Sequence, residues 1–355
     1  MSHFRLLSDP GRYVAHDWDL LADSAARLAW LDQFAQHFEV MLQHASAQYG
    51  RTAGKGVLGA RQEFAAAIGR LRQAPDSLPG GKLNVLELCR LRDGVLRRHG
   101  LGDPFKHVKD RENASAAVLY PQVVRKFHSM KGQEKWLHLV KCVFAGNIFD
   151  LGSRETMHLA TQPTDFLAAV ADGRPRPWLV DDFDRLAEEL VPTPPAKWAK
   201  AVIFVDNAGA DFILGVMPLA RELALSGTKI VLAANELPSL NDITADETVA
   251  VVENLCTLDE DLATLISAGM FEVVSTGNTS PMIDLSEVSE ELNEAAADAE
   301  LVVLEGMGRG VESNLDASFT VDKLILAMLK DAAVAKRVGG EAFDCVCKYS
   351  PARQG

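Results

Sequence analysis

The sequence predicts an α/β protein: a doubly wound, mostly parallel, Rossmann-like sheet preceded by a mainly helical N-terminal region. Two observations carry this prediction. Up to about residue 190 the apolar residues recur at helical spacing, whereas later short continuous apolar runs alternate with helical stretches. Continuous runs are typical of strands buried on both faces by helices. The predicted division is a helical region over 1–190 that packs on a sheet domain over 191–355.

The individual elements follow from periodicity and from stop signals. In the first part, apolar residues at helical spacing predict helices near 19–49, 60–73, 84–98, 112–128, 134–148 and 154–170. In the second part, apolar runs predict strands at 201–206, 229–234, 271–276, 300–305 and 343–348. The amphipathic run from Phe212 to Leu225 ends at Ser226-Gly227, a typical helix C-terminus.

Composition and charge restrict the class of protein. The net charge of −13 argues against a nucleic-acid surface, which needs clustered Lys and Arg to offset phosphate charge. No segment carries the ~18 apolar residues that would cross a membrane. The charged N-terminus lacks a secretory apolar region, and the five scattered cysteines suit reduced thiols, so we expect a cytoplasmic protein. A homo-oligomer stays open.

Polar residues follow the predicted strands at their C-terminal ends. Asp206 and Asn207 follow the first strand, and Asn235 and then Asp242 follow the second. Ligands of open parallel sheets bind beyond these strand ends. Carboxylate and amide oxygens suit a hard cation such as Mg²⁺ or Mn²⁺, which also bridges to phosphate. Asp206, Asn207 and Asp242 would make a workable half-shell of ligands.

The fourth and last predicted strands add glycines and cations to the same edge. Glu305 is followed by a glycine-containing loop, "GMGRG", that begins at Gly306. Gly308 and Gly310 would let backbone N–H groups approach an anion, and Arg309 offers forked donors to it. Lys348, after the last apolar run, would add a second positive charge.

The residues missing from the predicted sheet narrow the chemistry. All nine histidines lie between His3 and His158, which disfavours a histidine nucleophile or a zinc hydrolase on the sheet. P-loop and nucleophile-elbow motifs are absent from the sequence. By elimination, the strand ends indicate a metal-assisted phosphoryl site. Each Asp or Asn alone could instead be a turn or N-cap residue, and "GMGRG" a tight turn or part of a dinucleotide loop.

Further polar residues have more than one interpretation. Asn147 and Asp150 lie one helical turn apart in an apolar segment, where they could cap the helix or face the site from the helical region. Asp211 is expected in the first turn of the helix after the first strand, where its charge suits the helix dipole. The basic stretch over 89–100 is interpreted as a solvent-exposed helix face.

Seven co-linear stretches resemble the damage-control phosphatase family, formerly catalogued as domain of unknown function 89. They run in order from about residue 85 to the C-terminus and are "LCRLRDGVLRRHG", "DPFKHVKDRENA", "FAGNIFDLGS", "RPWLVDD", "FVDNAGADFILGVMPLARELALSGTKIVLAANELPSLNDIT", "EGMGRGVESN" and "FDCVCKY". The strongest likeness is to the branch of stand-alone plant proteins and of the C-terminal domain of pantothenate kinase fusions.

The resemblance implies a metal-dependent phosphatase of small phosphorylated metabolites. On the family pattern a divalent cation (Mn²⁺, Co²⁺, Ni²⁺ or Mg²⁺) is held by Asp206, Asn207 and Asp242. Arg309 acts with Asp206 and Asp242 in catalysis, and the residues expected to contact substrate are Asn147, Asp150, Asn235, Glu305, Gly306, Gly308, Arg309, Gly310 and Lys348.

The substrate and the mechanism stay open at this point. An R-T-x-K motif of other branches is not reproduced near the C-terminus, which favours 4′-phosphopantetheine or its oxidised derivatives over sugar phosphates. The nucleophile is either water or a carboxylate such as that of Asp206. The alternatives to a phosphatase are a non-catalytic sensor of phosphorylated metabolites and a methyltransferase that uses the glycine loop for S-adenosylmethionine.

Overall fold

A seven-stranded sheet lies at the centre of the computed structural model, which describes residues 1–15, 18–148, 164–191 and 196–352. The strands are β1 (Val180–Asp181), β2 (Lys200–Phe204), β3 (Lys229–Ala234), β4 (Phe271–Ser275), β5 (Leu301–Glu305), β6 (Asp322–Met328) and β7 (Cys345–Ser350). Their order across the sheet is β1-β7-β6-β5-β2-β3-β4. All neighbours are parallel except β6 and β7, which are antiparallel.

Helices surround this sheet. They are α1 (Ser24–Tyr49), α2 (Gly54–Gln73), α3 (Val85–Arg98), α4 (Lys106–His128), α5 (Gly132–Ile148), α6 (Thr164–Asp172), α7 (Phe183–Leu190), α8 (Met217–Leu225), α9 (Ala245–Cys256), α10 (Glu260–Ser267), α11 (Glu290–Ala295) and α12 (Ala332–Arg337). Two π-helices, Asp211–Val216 and Met307–Glu312, begin shortly after β2 and β5. Within the described ranges, no helix has the length and apolar character needed to cross a membrane.

Alternate residues of each central strand face opposite sides of the sheet. In β2, Val202 and Phe204 belong to one apolar core, which also contains residues of α1, α2 and α3. Ala201 and Ile203 belong to the other core, together with residues of α4, α5 and α8. Both faces of the strand are therefore buried, which explains why its sequence is a continuous apolar run. The predicted α/β class with a doubly wound, mostly parallel sheet is confirmed.

Five strands lie within two residues of their predicted positions, but two strands were not predicted. β6 reads "DKLILAM", and an apolar run rich in Leu cannot be told from a buried helix by periodicity. β1 has only two residues and forms at the edge of the sheet, where Val180 pairs with Val346. Since β1 precedes residue 191, the sheet takes one strand from the predicted helical part.

The predicted helices are confirmed where the structure describes them. For the helix predicted over 154–170, residues 154–163 lie outside the described ranges, and α6 begins at Thr164. The helix predicted from Phe212 begins one residue earlier as a π-helix and continues as α8. Asp23 and Asn84 cap α1 and α3 by accepting backbone N–H bonds, as the N-cap preference requires.

The first residues of the chain pack on the sheet. Ser2 and Leu7 form isolated antiparallel bridges with Val288 and Phe319. Phe4 between them is fully buried, and its ring lies edge-on to Phe204 of β2 at a centroid distance of 5.6 Å. The segment therefore contributes an aromatic side chain to the core beneath the central strand.

We expect Phe4→Ala to lower the free energy of unfolding by about 3–5 kcal/mol, because it removes a buried ring and leaves a cavity. Val14→Ala, at a side chain that is 80% exposed, is the control and should change it by less than about 0.5 kcal/mol. Urea unfolding followed by circular dichroism measures both. Equal effects of the two substitutions would show that the N-terminal segment is not part of the cooperative core.

Candidate active site

The order of the strands creates a crevice between β2 and β5. From β2 the chain continues to β3 on one side, whereas β5 lies on the other side of β2. Such a switch point is where open α/β sheets bind ligands, at the C-terminal ends of the strands. Asp206 follows β2 and Glu305 ends β5, and the backbone N–H of Asp206 donates to Glu305 Oε2 at 2.9 Å. The two acids therefore meet at the mouth of the crevice.

Asp211 joins these two acids to form a buried acidic cluster. The ligand oxygens of Asp206, Asp211 and Glu305 all lie within 4.8 Å of one another. The π-helix that starts at Asp211 has a wider turn than an α-helix, a feature frequent at functional sites. Asn207 Nδ2 donates to Asp206 Oδ2 at 3.0 Å and to Asp211 Oδ2 at 2.9 Å. The amide of Asn207 thus keeps its carbonyl oxygen for another partner.

Asn147 of α5 reaches the cluster from the other side. Its Nδ2 donates to Asp211 Oδ1 and to Glu305 Oε1, each at 2.6 Å. The preceding residue allows this close approach, because a Cβ on Gly146 would lie 2.8 Å from the Cα of Asp211. The structure therefore brings Asn147 to the site, whereas Asp150 lies outside the described residues.

The electrostatics of Glu305 reflect this crowding. Burial raises the pKa of Glu305 well above its usual value, and the charges of Asp211 and Asp206 raise it further. The hydrogen bond from Asn147 and the charge of Arg309 oppose this rise only in part. Three carboxylates held so close repel one another, so a bound cation would stabilise the arrangement.

Among the described residues, Arg309 is the one cationic side chain that hydrogen-bonds directly to the acidic cluster. Its Nη1 donates to Asp206 Oδ1, and its Nη2 donates to Asp242 Oδ2 at 3.0 Å. Burial alone would lower the pKa of Arg309, but the charges of Asp242, Asp206 and Glu305 outweigh it, so the pKa lies above its usual value. The guanidinium is fully buried and stays charged between the two carboxylates.

The glycines around Arg309 have a packing role. Gly306 has φ of 90°, and a Cβ there would overlap the Asp206 carboxylate. At Gly308 a Cβ would lie 2.5 Å from Pro281 O. The N–H groups of Gly306 and Gly310 already donate to Leu326 O and Gly306 O, each at 3.0 Å. Close packing, rather than free N–H groups at Gly306 and Gly310, therefore accounts for these glycines.

The loop after β3 brings Asp242 to the same place. Asn207 and Asp242 form an isolated antiparallel bridge, and Ile243 N donates to Asp206 O at 3.0 Å. Asn235 Nδ2 donates to Asp242 Oδ2 at 2.8 Å. The structure thus brings together Asp206, Asn207, Asn235 and Asp242, as expected from two adjacent strand ends.

Lys348 does not reach the site. Because β7 is antiparallel to β6, the C-terminal half of β7 points toward the opposite edge of the sheet. There Lys348 Nζ donates to Leu315 O at 2.9 Å and lies 3.8 Å from Asp316 Oδ1. The expectation that Lys348 follows the other strand ends assumed a parallel strand, which was wrong.

Asp211 was expected in the first helical turn, and it lies there, but its place in the acidic cluster was not expected. It is only 2% exposed. The sequence signal is the spacing of five residues between Asp206 and Asp211. The chain turns between them through Gly209, whose φ is 76°, and the spacing alone does not predict where that turn directs Asp211.

The atoms around the cluster fit a hard divalent cation. Every potential ligand is a carboxylate or amide oxygen, which suits Mg²⁺ or Mn²⁺. Among the described residues, Asn147 Oδ1 and Asn235 Oδ1 are buried without a hydrogen-bond partner. Buried polar atoms are normally satisfied, so these two oxygens point to a cation or an ordered donor between the strands.

Comparisons with known proteins bear on this site. A family model described as the damage-control phosphatase ARMT1-like domain matches residues 31–346. A damage-control phosphatase of Arabidopsis thaliana is 44% identical over 292 residues, which cover 81% of this chain and 78% of that protein. A Pyrococcus horikoshii protein of the family with domain of unknown function 89 has a similar fold, with a TM-score of 0.60 at 18% identity, covering 90% of this chain and 96% of that one.

Two longer relatives align with nearly the whole chain. Pantothenate kinase 2 of Arabidopsis thaliana is 36% identical over 98% of this chain and 42% of its own length. A 4′-phosphopantetheine phosphatase of Mus musculus is 31% identical over 97% of this chain and 48% of its own length. This chain therefore spans less than half of either protein, and the predicted likeness to the plant and pantothenate kinase branch is confirmed. The chain belongs to the ARMT1-like damage-control phosphatase family of enzymes.

Proposed function

We propose that the chain is a metal-dependent phosphomonoesterase that releases phosphate from 4′-phosphopantetheine or its oxidised derivatives. The observation that carries this proposal is the set of unsatisfied buried atoms around Asp206. Among the described residues, the amide oxygens of Asn147 and Asn235 lack a donor, and Arg309 Nε lacks an acceptor. A cation together with a phosphate group satisfies both kinds of atom. The substrate class is that of the mouse relative, a 4′-phosphopantetheine phosphatase.

Asp206, Asn207 and Asp242 would hold the cation, which we propose to be Mn²⁺, Co²⁺, Ni²⁺ or Mg²⁺. Asp206 and Asp242 supply carboxylate oxygens, and Asn207 supplies the amide oxygen that its hydrogen bonds to Asp206 and Asp211 leave for a ligand. Asp211 and Glu305 add negative charge beside Asp206. When bound, such a cation polarises a phosphoryl oxygen and neutralises charge that develops on it.

Arg309 would bind the non-bridging oxygens of the phosphate. Its guanidinium presents a planar fork of donors, which suits phosphate geometry and stabilises a transferring phosphoryl group electrostatically. In this structure the fork contacts Asp206 and Asp242, so phosphate competes with these carboxylates for it. Asn147 and Asn235 would orient ligands through their amide oxygens. Trapping of a phosphoenzyme decides whether the nucleophile is water or the Asp206 carboxylate.

We also propose that the enzyme works in the cytoplasm. All five cysteines are unpaired, which supports a reducing compartment such as the cytoplasm. The expected partner is a small phosphorylated metabolite.

We expect phosphate release from 4′-phosphopantetheine to require added Mn²⁺, Co²⁺, Ni²⁺ or Mg²⁺ and to exceed release from a panel of sugar phosphates. The double variant Asp206→Ala, Asp242→Ala should lose the cation-dependent activity. Arg309→Met should lower kcat by about 100-fold, because it removes a preorganised donor from the developing charge. Asp246→Ala, at an exposed residue of α9, is the control. Complete retention of cation-dependent activity in the double variant would contradict the assignment of Asp206 and Asp242 to the site.

Cation binding should also appear in stability, without any turnover. Since the cation binds the folded state, Mn²⁺ at about 100 times its Kd should raise the free energy of unfolding by about 2.7 kcal/mol. Thermal unfolding with and without Mn²⁺ measures this within each variant. The Mn²⁺-induced rise in Tm should disappear in Asp206→Ala and persist in Asp246→Ala. An equal rise in both variants would place the cation away from Asp206.

A further inference from the structure

Arg92 and Asp93 of α3 form an ion pair inside the protein. Each side chain is only 3% exposed, although the stretch over 89–100 was predicted to be a solvent-exposed face. Arg92 Nε donates to Asp93 Oδ1 at 2.7 Å, and Nη2 donates to Asp93 Oδ2 at 3.2 Å. Burial alone would lower the pKa of Arg92, but the charge of Asp93, its hydrogen bonds and the nearby charges, including that of Asp242, together outweigh burial, so the pKa lies above its usual value and the guanidinium stays charged. Arg98 of the same helix, by contrast, is exposed and pairs with Glu63 at the surface.

This buried pair contacts the loop that carries Asp242. Ser239 Oγ donates to Asp93 Oδ2 at 2.6 Å and accepts from Arg92 Nη2 at 3.2 Å. Three residues later, the N–H of Asp242 donates to Ser239 O at 3.1 Å. The side chain of Ser239 therefore binds the helix, while its backbone binds the proposed metal ligand.

The loop between Ser239 and Asp242 is strained. Leu240 has φ of 52°, in the left-handed region that side chains other than Gly, Asn and Asp rarely adopt. Such a conformation persists only where the surrounding contacts enforce it. The hydrogen bonds of Ser239 to Arg92 and Asp93 lie immediately before Leu240 and supply such contacts.

Lys109 of α4 holds the same loop from its far end. Its fully buried Nζ lies 3.0 Å from Asp103 and 2.8 Å from Glu247, and it donates to Asp242 O at 3.4 Å. Two helices of the N-terminal region therefore contact the loop, one at Ser239 and one at Asp242 itself.

Stability alone does not account for a buried ion pair here. Desolvation of both charges often cancels their attraction, and apolar replacements of similar volume are often neutral or stabilising. Arg92 and Asp93 are nevertheless buried where they meet Ser239, next to the site. Orientation of the Ser239 loop therefore explains the position of this ion pair better than a net gain in stability does.

We propose that Arg92, Asp93 and Ser239 are positioning residues that hold Asp242 in the orientation in which it binds the cation. The proposal rests on the proposed function, because it concerns a ligand of that cation. Removal of a residue that orients a metal ligand through hydrogen bonds typically weakens metal affinity by about 10–100-fold. None of the three residues need touch the substrate, so they should affect cation affinity rather than the chemical step.

The test is direct Mn²⁺ binding, measured by electron paramagnetic resonance of free Mn²⁺, together with the Mn²⁺ dependence of phosphate release. Ser239→Ala should weaken Mn²⁺ binding about tenfold, while kcat at saturating Mn²⁺ stays close to that of the wild type. Ser239→Thr keeps the hydroxyl and should restore the affinity. The double variant Arg92→Met, Asp93→Leu removes both charges and should lose affinity without a fall in Tm. Arg98→Met, at the exposed pair of α3, should leave Mn²⁺ affinity unchanged.

The outcomes separate this inference from the proposed function. Wild-type affinity in both Ser239→Ala and the double variant would overturn the positioning role and leave the phosphatase proposal intact. The positioning role would also be overturned if Arg98→Met weakened Mn²⁺ binding as much as Ser239→Ala does. It would likewise be overturned if Ser239→Ala lowered only kcat and left Mn²⁺ affinity unchanged. A wild-type chain that binds none of Mn²⁺, Co²⁺, Ni²⁺ and Mg²⁺ would overturn the proposed function and this inference with it.

Discussion

Carboxylates that are buried side by side are the constraint on which the candidate site depends. Asp206, Asp211 and Glu305 converge within 4.8 Å, and Asp242 is linked to Asp206 through the buried guanidinium of Arg309. Such an arrangement is costly unless hydrogen bonds or cations offset the repulsion. The amides of Asn147 and Asn207 and the charge of Arg309 do so in part. The remaining negative charge, with the unsatisfied amide oxygens nearby, is the environment that a hard cation would stabilise.

The fold produces this convergence through the order of its strands and two irregular helices. β2 and β5 are neighbours, so the residues that follow them meet at one edge. Each is followed by a π-helix, which directs Asp211 in one case and Arg309 in the other toward Asp206. Glycine at 306 removes the Cβ that would overlap the Asp206 carboxylate. The helical N-terminal region then closes the site by supplying Asn147 and by contacting the loop of Asp242.

Sequence reasoning predicted the part of the site that depends on strand ends. Asp206, Asn207, Asn235 and Asp242 come together because adjacent parallel strands place their C-terminal residues at one edge. The sequence did not predict features that depend on which distant segments of the chain pair with one another. The direction of β7 is not encoded in its apolar run, so Lys348 was assigned to the wrong edge. The burial of Arg92 was missed because a basic helix stretch normally faces solvent, and only the contact with Ser239 reveals otherwise.

We expect one divalent cation to bind at Asp206 in the switch-point crevice between β2 and β5. Anomalous diffraction from crystals grown with Mn²⁺ locates the ion without any assay of turnover. The anomalous peak should lie within coordination distance of Asp206, Asn207 and Asp242, about 2.0–2.3 Å from their oxygens. A peak at another place in the molecule, or crystals that bind Mn²⁺ without a peak in this crevice, would contradict it.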